Sequence, residues 1–397
     1  MIIGLIGKPN TGKSTFFNAC TLSNAEMASY PFTTIKPNIG IGHVKIHCVC
    51  NELNIKDNPI NSYCTGKYRF IPVKIIDIAG LVPGASSGRG LGNKFLDDIR
   101  QADVLIHVID ASGSTDKEGK VTTIGSQDLL TDIEFIESEF DNWLYNLIEN
   151  EWTNIIKISI GNKKKFTELI CKKLSGLSIK ENDILKCLDI TKLKGEKSQE
   201  WKVKDIKKFI KQIRLITKPI IIAANKIDLL NSKRELDVLI KVEKKFIPTA
   251  SEAELLLRKA KENSYINYIP GESSFEINPQ KELSEEQKKA LNKVKQKIFD
   301  IWNGTGVQEV INHSFFELLK MITVYPVEDE NNLMDKKGNV LPDAYLLPKG
   351  SNPLDLAYKI HTDLGKRFLY AINAKTKKRL ASDYQIIDND IIKIVST

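Results

Sequence analysis

Short apolar runs that end in small or charged residues recur along this 397-residue chain. They are "MIIGLI" (1–6), "NIGIGHVKIHCV" (38–49), "FIPVKIIDIAG" (70–80), "DVLIHVIDAS" (103–112), "KPIIIAANKID" (218–228) and "KKFIPTAS" (244–251). Runs of this kind alternating with helical stretches predict a mainly parallel sheet covered on both faces, an α/β fold. Between the fourth and fifth runs, Leu129, Ile133, Ile136, Phe140, Trp143 and Leu147 repeat at 4-3-4-3-4 spacing. That spacing predicts a helical stripe of coiled-coil type. From about residue 321, "TVYPVEDE", "AYLLPKGSNPLDLAYKIH", "FLYAINAKTKKRL" and "DIIKIVST" predict a compact α+β module. The expected organisation is therefore an α/β domain in two parts, 1–127 and 218–320, interrupted by a helical insertion at 128–217 and followed by a small domain at 321–397.

Charge sharpens the insertion. Residues 128–150 hold seven acids and no Lys or Arg, whereas 151–218 hold eighteen Lys or Arg against eight acids. An acidic helix followed by a basic remainder is expected there. The net charge of +8 permits a nucleic-acid partner without establishing one. The last 77 residues are near neutral, with eleven Lys or Arg and ten acids, so RNA binding there would need a local patch such as Lys375, Lys377, Lys378 and Arg379. No run of about 18 apolar residues suggests a membrane span. The first strand begins at Met1, which leaves no room for a removable leader, so a cytoplasmic protein is expected. Six cysteines in this length do not suggest a disulfide framework.

The candidate chemistry lies where the apolar runs end. "GLIGKPNTGKSTFFNA" (4–19) meets the pattern G-x-x-x-x-G-K-[ST] at Gly7, Gly12, Lys13 and Ser14. In the loop Gly7-Lys8-Pro9-Asn10-Thr11-Gly12-Lys13-Ser14-Thr15, backbone N–H groups would cradle phosphate oxygens. Lys13 would reach the β- and γ-phosphates, and Ser14 would hold Mg²⁺. Asp77 closes the third run and is followed by Gly80; an acid there can hold Mg²⁺ through water, and glycine lets a backbone N–H approach the γ-phosphate. Asn225-Lys226-Ile227-Asp228 closes the fifth run. A carboxylate at Asp228 can accept both N1–H and N2–H₂ of guanine, a pair that adenine lacks. Asn225 would tie the loops together, the Lys226 stem would pack on the base, and the turn at Ala250 and Ser251 would offer backbone N–H to the base oxygen.

With these elements in order, the chain resembles an Obg-related translational GTPase of the YchF branch, in its archaeal and eukaryotic-like form. Near-literal family strings are "GKPNTGKSTFFNA", "YPFTTIKPNIG", "DIAGLVPGASSGRGLGNKFLDDIR", "HVIDASGSTDKEG" and "NHSFFELLKMITVYPV". "AYLLPKGSNPLDLAYKIHTDLGKRFLYAINA" resembles a TGS domain, a ubiquitin-like β-grasp module. The resemblance implies a P-loop NTPase (G domain) fold, GTP or GDP with Mg²⁺ as cofactors, and a ribosome or ribosomal RNA partner. It implies no membrane or DNA partner, and a monomer is expected. It places Thr34 in switch I as a Mg²⁺ ligand and 81–92 in switch II. Leu81 stands where many small GTPases carry a water-orienting glutamine, so intrinsic hydrolysis is expected to be slow. Three groups could supply the missing chemistry: Asn10 by holding K⁺, His107, and Arg89. His107 also reads as a core histidine, and Arg89 as a solvated loop residue. Bacterial-type members depart from N-K-x-D and favour ATP; this chain keeps the motif, so GTP is expected. An ATP-preferring hydrolase of the same family and a non-hydrolysing RNA-binding scaffold remain as alternatives.

One further cluster stands outside this pattern. His43, His47, Cys48, Cys50 and Cys64 fall within 22 residues. Strand alternation would separate residues 43 and 47 from 48 and 50 on opposite faces, so reduced cysteines on a strand and hairpin are expected rather than a metal site.

Overall fold

The computed structural model describes the chain except residues 22–37, 79–97, 117, 178, 231–235 and 242–244. Six strands form the main path of one sheet: β1 (Ile2–Ile6), β2 (Ile39–His47), β4 (Tyr68–Asp77), β5 (Val104–Asp110), β6 (Ile220–Asn225) and β7 (Phe246–Pro248). Their order is β2-β4-β1-β5-β6-β7, with β3 (Tyr63–Cys64) on β4. The pairs β1–β4, β1–β5, β5–β6 and β6–β7 are parallel. Every residue of β5 is buried, the signature of a parallel strand covered on both faces. A two-stranded ribbon, β8 (Ile266–Asn267) and β9 (Glu276–Ile277), lies apart from it.

The described residues group into two compact units. One comprises Lys74–Val310 with the N-terminal β1 segment, and the other comprises Ile41–Val73 with Ile311–Thr397. The continuous first part expected at 1–127 is thus divided. Residues 41–73 group with the C-terminal residues because their irregular loop hydrogen-bonds there: Asn58 N–H donates to Val340 O at 3.1 Å and Ile60 N–H to Pro342 O at 2.7 Å.

In the first unit, α1 (Lys13–Thr21) follows β1 directly. The insertion contains α2 (Leu129–Ser159), α3 (Lys163–Lys173), α4 (Glu181–Thr191) and α5 (Val203–Thr217). Among the described residues it has no separate core. Phe140, Phe166, Leu188 and Phe209 share one buried cluster with Ile6, Ile76 and Leu105 of the sheet. Asp128 caps α2 by accepting from Leu130 N–H. Of the expected stripe on α2, Leu129, Ile133, Ile136, Phe140 and Trp143 are buried and Leu147 is only partly buried, while Leu144 and Ile148 are buried beside it. A straight helix of 3.6 residues per turn drifts off a seven-residue repeat, so the coiled-coil spacing departs at its last position, Leu147. Arg214 on α5 is buried and reaches Asp141 of α2 at 2.6 Å and Glu137 at 3.4 Å. Two further helices, α6 (Ser251–Glu262) and α7 (Glu285–Val294), complete this unit's outer layer on the β6–β7 side.

In the second unit, β10 (Met321–Val327), β11 (Tyr345–Pro348), β12 (Phe368–Asn373), β13 (Lys378–Leu380) and β14 (Asp390–Ser396) form a sheet ordered β11-β10-β14-β12-β13. Its central pair, β10 and β14, is parallel and the outer pairs are antiparallel. Helix α8 (Pro353–Ile360) begins with Pro at its first position behind an Asn352–Asp355 capping box, and packs Leu356 onto the sheet. The basic turn after β12 is partly engaged: Lys375 lies 3.5 Å from the Glu52 carboxylate, Lys377 donates to Glu330 O, and Arg379 stacks 3.8 Å from the Tyr370 ring centre.

Candidate nucleotide site

The loop between β1 and α1 is built so that its backbone donors converge. Phe16 N–H donates to Gly12 O at 2.8 Å, which makes Gly12 the residue ahead of the first helical turn. The N–H groups of the residues that follow have no carbonyl a turn earlier, and the helix dipole adds positive potential there. Gly12 has φ +93°, and a Cβ at that position would lie 2.3 Å from Asn225 Nδ2, so no larger residue fits.

Lys13 is buried and its ammonium donates to Lys8 O at 3.2 Å. Burial, only partly offset by Asp77, holds it below the ordinary lysine range. Ser14 Oγ donates to Asp77 Oδ2 at 3.0 Å, which brings two of the three sequence-predicted magnesium ligands together across 63 residues. Burial pushes the Asp77 carboxyl above its usual range, against the opposing effects of Ser14 and Lys13. A hydroxyl and a carboxylate oxygen side by side form a donor set that suits a hard cation such as Mg²⁺.

Asn225 is the tie between three loops. Its Nδ2 donates to Thr11 O at 3.0 Å, and its Oδ1 accepts from Ser251 N at 3.0 Å and Ser251 Oγ at 2.8 Å. Its own carbonyl accepts from Ala111 N–H at 2.8 Å. The Ala250–Ser251 turn is fixed from behind as well. Ala250 N–H donates to Thr305 O at 2.9 Å, and the buried Glu254 accepts from Tyr268 Oη at 2.7 Å and pairs with Arg258 at 2.6 Å. Gly306 makes that approach possible: at φ +73° its added Cβ would stand 1.9 Å from Pro248 O. Asp228 follows in the turn Ile227–Leu229, half-buried, and borders one hollow with Glu252 and Ala253.

The segment after β5 has a role that the sequence reading did not draw out. Asp110, buried at the end of β5, accepts from Ser112 Oγ at 2.6 Å, Ser114 Oγ at 2.9 Å and Thr115 Oγ1. Lys226 Nζ reaches the same carboxylate at 2.8 Å. Burial opposes the Asp110 charge, but these donors win and hold its carboxyl below the usual range. The loop beyond lies against the phosphate-loop residues: Asn10 Nδ2 donates to Gly119 O at 2.8 Å, and Gly119 sits close over Pro9. Lys8 turns its side chain away to Asp132 of α2 at 2.6 Å and to Thr115 O, so only its backbone faces the loop's concave side. The signal was present as a strand-end acid followed by a Ser/Thr-rich stretch, "DASGST".

The remaining predicted residues fall as follows. Thr11 is buried and caps Lys8 O, and Thr15 is half-buried in the first turn of α1. His107 is 2% exposed in the interior of β5, opposite Ile6 of β1 and Ile222 of β6. Thr34, Gly80, Leu81 and Arg89 lie outside the described residues. The cysteines depart from expectation. Strand β2 ends at His47, and Val49–Glu52 form a short helix, so strand alternation does not apply to Cys48 and Cys50. Cys48, Cys50, Asp57 and Cys64 converge, while His43 and His47 pack on Tyr63 and Tyr68 instead.

Similarity to known proteins agrees with this layout. Residues 2–137 match the family described as 50S ribosome-binding GTPase. Residues 223–329 match the Obg-like GTPase YGR210-like, G4 motif-containing domain, and 334–396 match the TGS domain. An uncharacterized GTP-binding protein of Methanocaldococcus jannaschii is 47% identical over 100% of this chain and 99% of its own. The ribosome-binding ATPase YchF of Buchnera aphidicola is 32% identical over 98% of this chain and 97% of its own. Among solved structures, a GTP-binding protein from Pyrococcus horikoshii aligns over 100% of both chains with a TM-score of 0.77 and 40% identity. The Schizosaccharomyces pombe YchF GTPase shares the fold, with a TM-score of 0.57 at 20% identity over 100% of this chain and 97% of that one.

Proposed function

The chain belongs to the YchF branch of the Obg-like P-loop GTP-binding proteins and carries their TGS domain, and on that premise we propose that it is a GTP-specific, slowly hydrolysing switch that acts on ribosomes. The observation that carries the nucleotide part is Asn225, whose one side chain joins the phosphate loop at Thr11 to the base-side turn at Ser251.

The phosphate loop and the N-terminus of α1 bind the phosphates through backbone N–H groups. Lys13 neutralises the β- and γ-phosphates; burial lowers the pKa of its ammonium, and an arriving anion opposes that shift. Ser14 and Asp77 would hold Mg²⁺, which neutralises charge on the β- and γ-oxygens when bound. Lys226 is kept by Asp110 at the strand end, where its stem can flank the base, and Asp228 accepts from guanine N1–H and N2–H₂. Ala250 and Ser251 offer backbone N–H to the base oxygen. Leu81 cannot orient a water, so the phosphate groups are held well while attack lags. Switch closure through Thr34 and Gly80, an Arg89 cation and K⁺ at Asn10 stand as the groups that complete the site late. Asn10 already spends its amide N–H on Gly119, which steadies it for such a role.

An ATP-preferring reading has its own support in the name of the Buchnera relatives, ribosome-binding ATPases. Ribosome association of this chain follows the same relatives and the insertion's basic remainder. The test has two arms. Lys13→Ala and Ser14→Ala are expected to abolish binding of labelled triphosphate in Mg²⁺; wild-type binding by either would overturn the site assignment. GTP turnover is then measured in Na⁺ and K⁺, with and without ribosomes, with Asn10→Ala as control. Slow turnover raised by K⁺ or ribosomes is expected. Fast turnover in Na⁺ alone, unchanged by either addition, would overturn the switch mechanism.

A further inference from the structure

Away from the nucleotide site, the second unit gathers three thiols and a carboxylate. We propose that Cys48, Cys50, Cys64 and Asp57 form a structural zinc site, and that the metal fixes the loop on which the segment 340–344 is seated. The fold brings them from three places. Cys48 stands at the N-terminus of the short helix Val49–Glu52 and Cys50 lies within it. Cys64 ends β3, opposite Arg69 of β4. Asp57 lies midway in the irregular stretch between them.

Their four ligand atoms all lie within 4.8 Å of one another. Cys50 Sγ is 3.6 Å from Cys64 Sγ, and Cys48 Sγ is 3.3 Å from Asp57 Oδ2. Tetrahedral zinc with Zn–S near 2.3 Å requires sulfurs about 3.8 Å apart and S···O about 3.5 Å. Two of the six separations thus already match tetrahedral zinc to about 0.2 Å, and the others, at most 4.8 Å, have to close by no more than about 1.3 Å. Four protein ligands leave no open position, which is the structural rather than the catalytic pattern.

The surroundings fit an anionic centre. Gly66 N–H points to Cys64 Sγ at 3.3 Å, a backbone donor of the kind that steadies a metal thiolate. Three thiolates, one carboxylate and Zn²⁺ leave a formal charge of about −2. The fully buried guanidinium of Arg69 lies 3.0 Å from Asp57 Oδ2 and offsets part of it. Without a metal, the same place would crowd a buried carboxylate against three thiols.

The consequence is mechanical. Residues 53–62 carry no helix or strand. Their outer edge receives the C-terminal chain: Asn58 and Ile60 donate to Val340 O and Pro342 O, and Asn61 exchanges bonds with Ala344 at 2.9 and 3.1 Å. Arg69 adds a bond to Leu341 O at 2.9 Å. A metal that closes the ring from residue 48 to 64 removes the freedom this stretch would otherwise have, so that a loop without regular structure can serve as a firm seat.

The experiment uses the full chain expressed in zinc-supplemented medium. Elemental analysis is expected to find about one zinc per chain that survives dialysis. Cobalt exchange is expected to give tetrahedral d–d bands with thiolate-to-cobalt charge transfer. Cys64→Ser should lose the metal, while Cys187→Ser, in α4, should keep it. Asp57→Cys guards against misfolding as an explanation: it should retain zinc and strengthen the charge-transfer band. Stripping zinc with a chelator should speed deuterium exchange in both 54–62 and 340–344. Substoichiometric zinc with no cobalt bands, undiminished loading in Cys64→Ser, or a Cys50–Cys64 disulfide found by mass spectrometry would overturn the site. Unchanged exchange at 340–344 after zinc release would overturn the seating role.

Discussion

Replacing Asn225 by Ala separates a tie within the protein from a contact to ligand. The side chain is 2% exposed, and it serves Thr11 O, Ser251 N and Ser251 Oγ, with Thr249 Oγ1 further off at 3.4 Å. Ala leaves at least two buried groups, Thr11 C=O and Ser251 N–H, without their partner. Each such loss costs about 1–3 kcal/mol. Relaxation of the loops and water admitted to the vacated space recover part of it, so a net loss of about 2–4 kcal/mol is expected. For a unit of this size, about 2–4 °C of melting temperature goes with each kcal/mol, so the first unit should melt roughly 4–16 °C lower. The assay is scanning calorimetry of nucleotide-free protein, with Asp228→Ala as the comparison. Asp228 is half-buried at the site's edge, and its loss should cost the free protein less than about 1 kcal/mol. If Asn225→Ala melts within about 1 °C of wild type yet no longer binds nucleotide, the tie is not what holds the loops, and the reasoning fails.

Two other outcomes follow from buried charge. Asp77→Asn should raise the stability of the Mg²⁺-free protein at neutral pH while abolishing Mg²⁺–nucleotide binding. The folded carboxyl binds its proton more tightly than the unfolded one, so its contribution is favourable at low pH and is lost as pH rises through the folded pKa. The gain from Asn should accordingly vanish below about pH 4, where the wild-type carboxyl is neutral as well; a destabilised variant at pH 7.5 in chelator would contradict this. Arg214→Ala should cost about 2–3 kcal/mol, because Asp141 and Glu137 keep their charges on α2 after the buried guanidinium is gone. Urea unfolding with an Arg214/Asp141 double-mutant cycle measures it, and a loss under about 0.5 kcal/mol would show that solvent screens the pair.

The parallel sheet was legible because its strands are continuous apolar runs, and the site was legible because chemistry in such sheets gathers at strand ends. Lys13, Ser14, Asp77 and Asn225 come together for that reason. What escaped the sequence depends on side chains meeting across long separations. Asp110 reads as one more strand-end acid until Lys226, 116 residues later, is seen on it. Lys8 reads as a phosphate-loop residue until Asp132 takes its ammonium. The cysteines were misread because alternation was carried three residues past the true end of β2, to Cys50. The stripe on α2 runs as expected from Leu129 to Trp143 and departs at Leu147, because a heptad is not the period of a straight helix. The grouping of 41–73 with the C-terminal residues rests on loop backbone bonds that no periodicity records.

Calorimetric titration of the purified chain with GTP and with ATP, both in Mg²⁺, tests the central claim most directly. Asp228 offers an acceptor pair that guanine satisfies and adenine does not, and the account predicts GTP tighter by at least about tenfold, or roughly 1.4 kcal/mol, with the difference lost in Asp228→Ala. ATP binding as tight as GTP or tighter in the wild-type protein would contradict it.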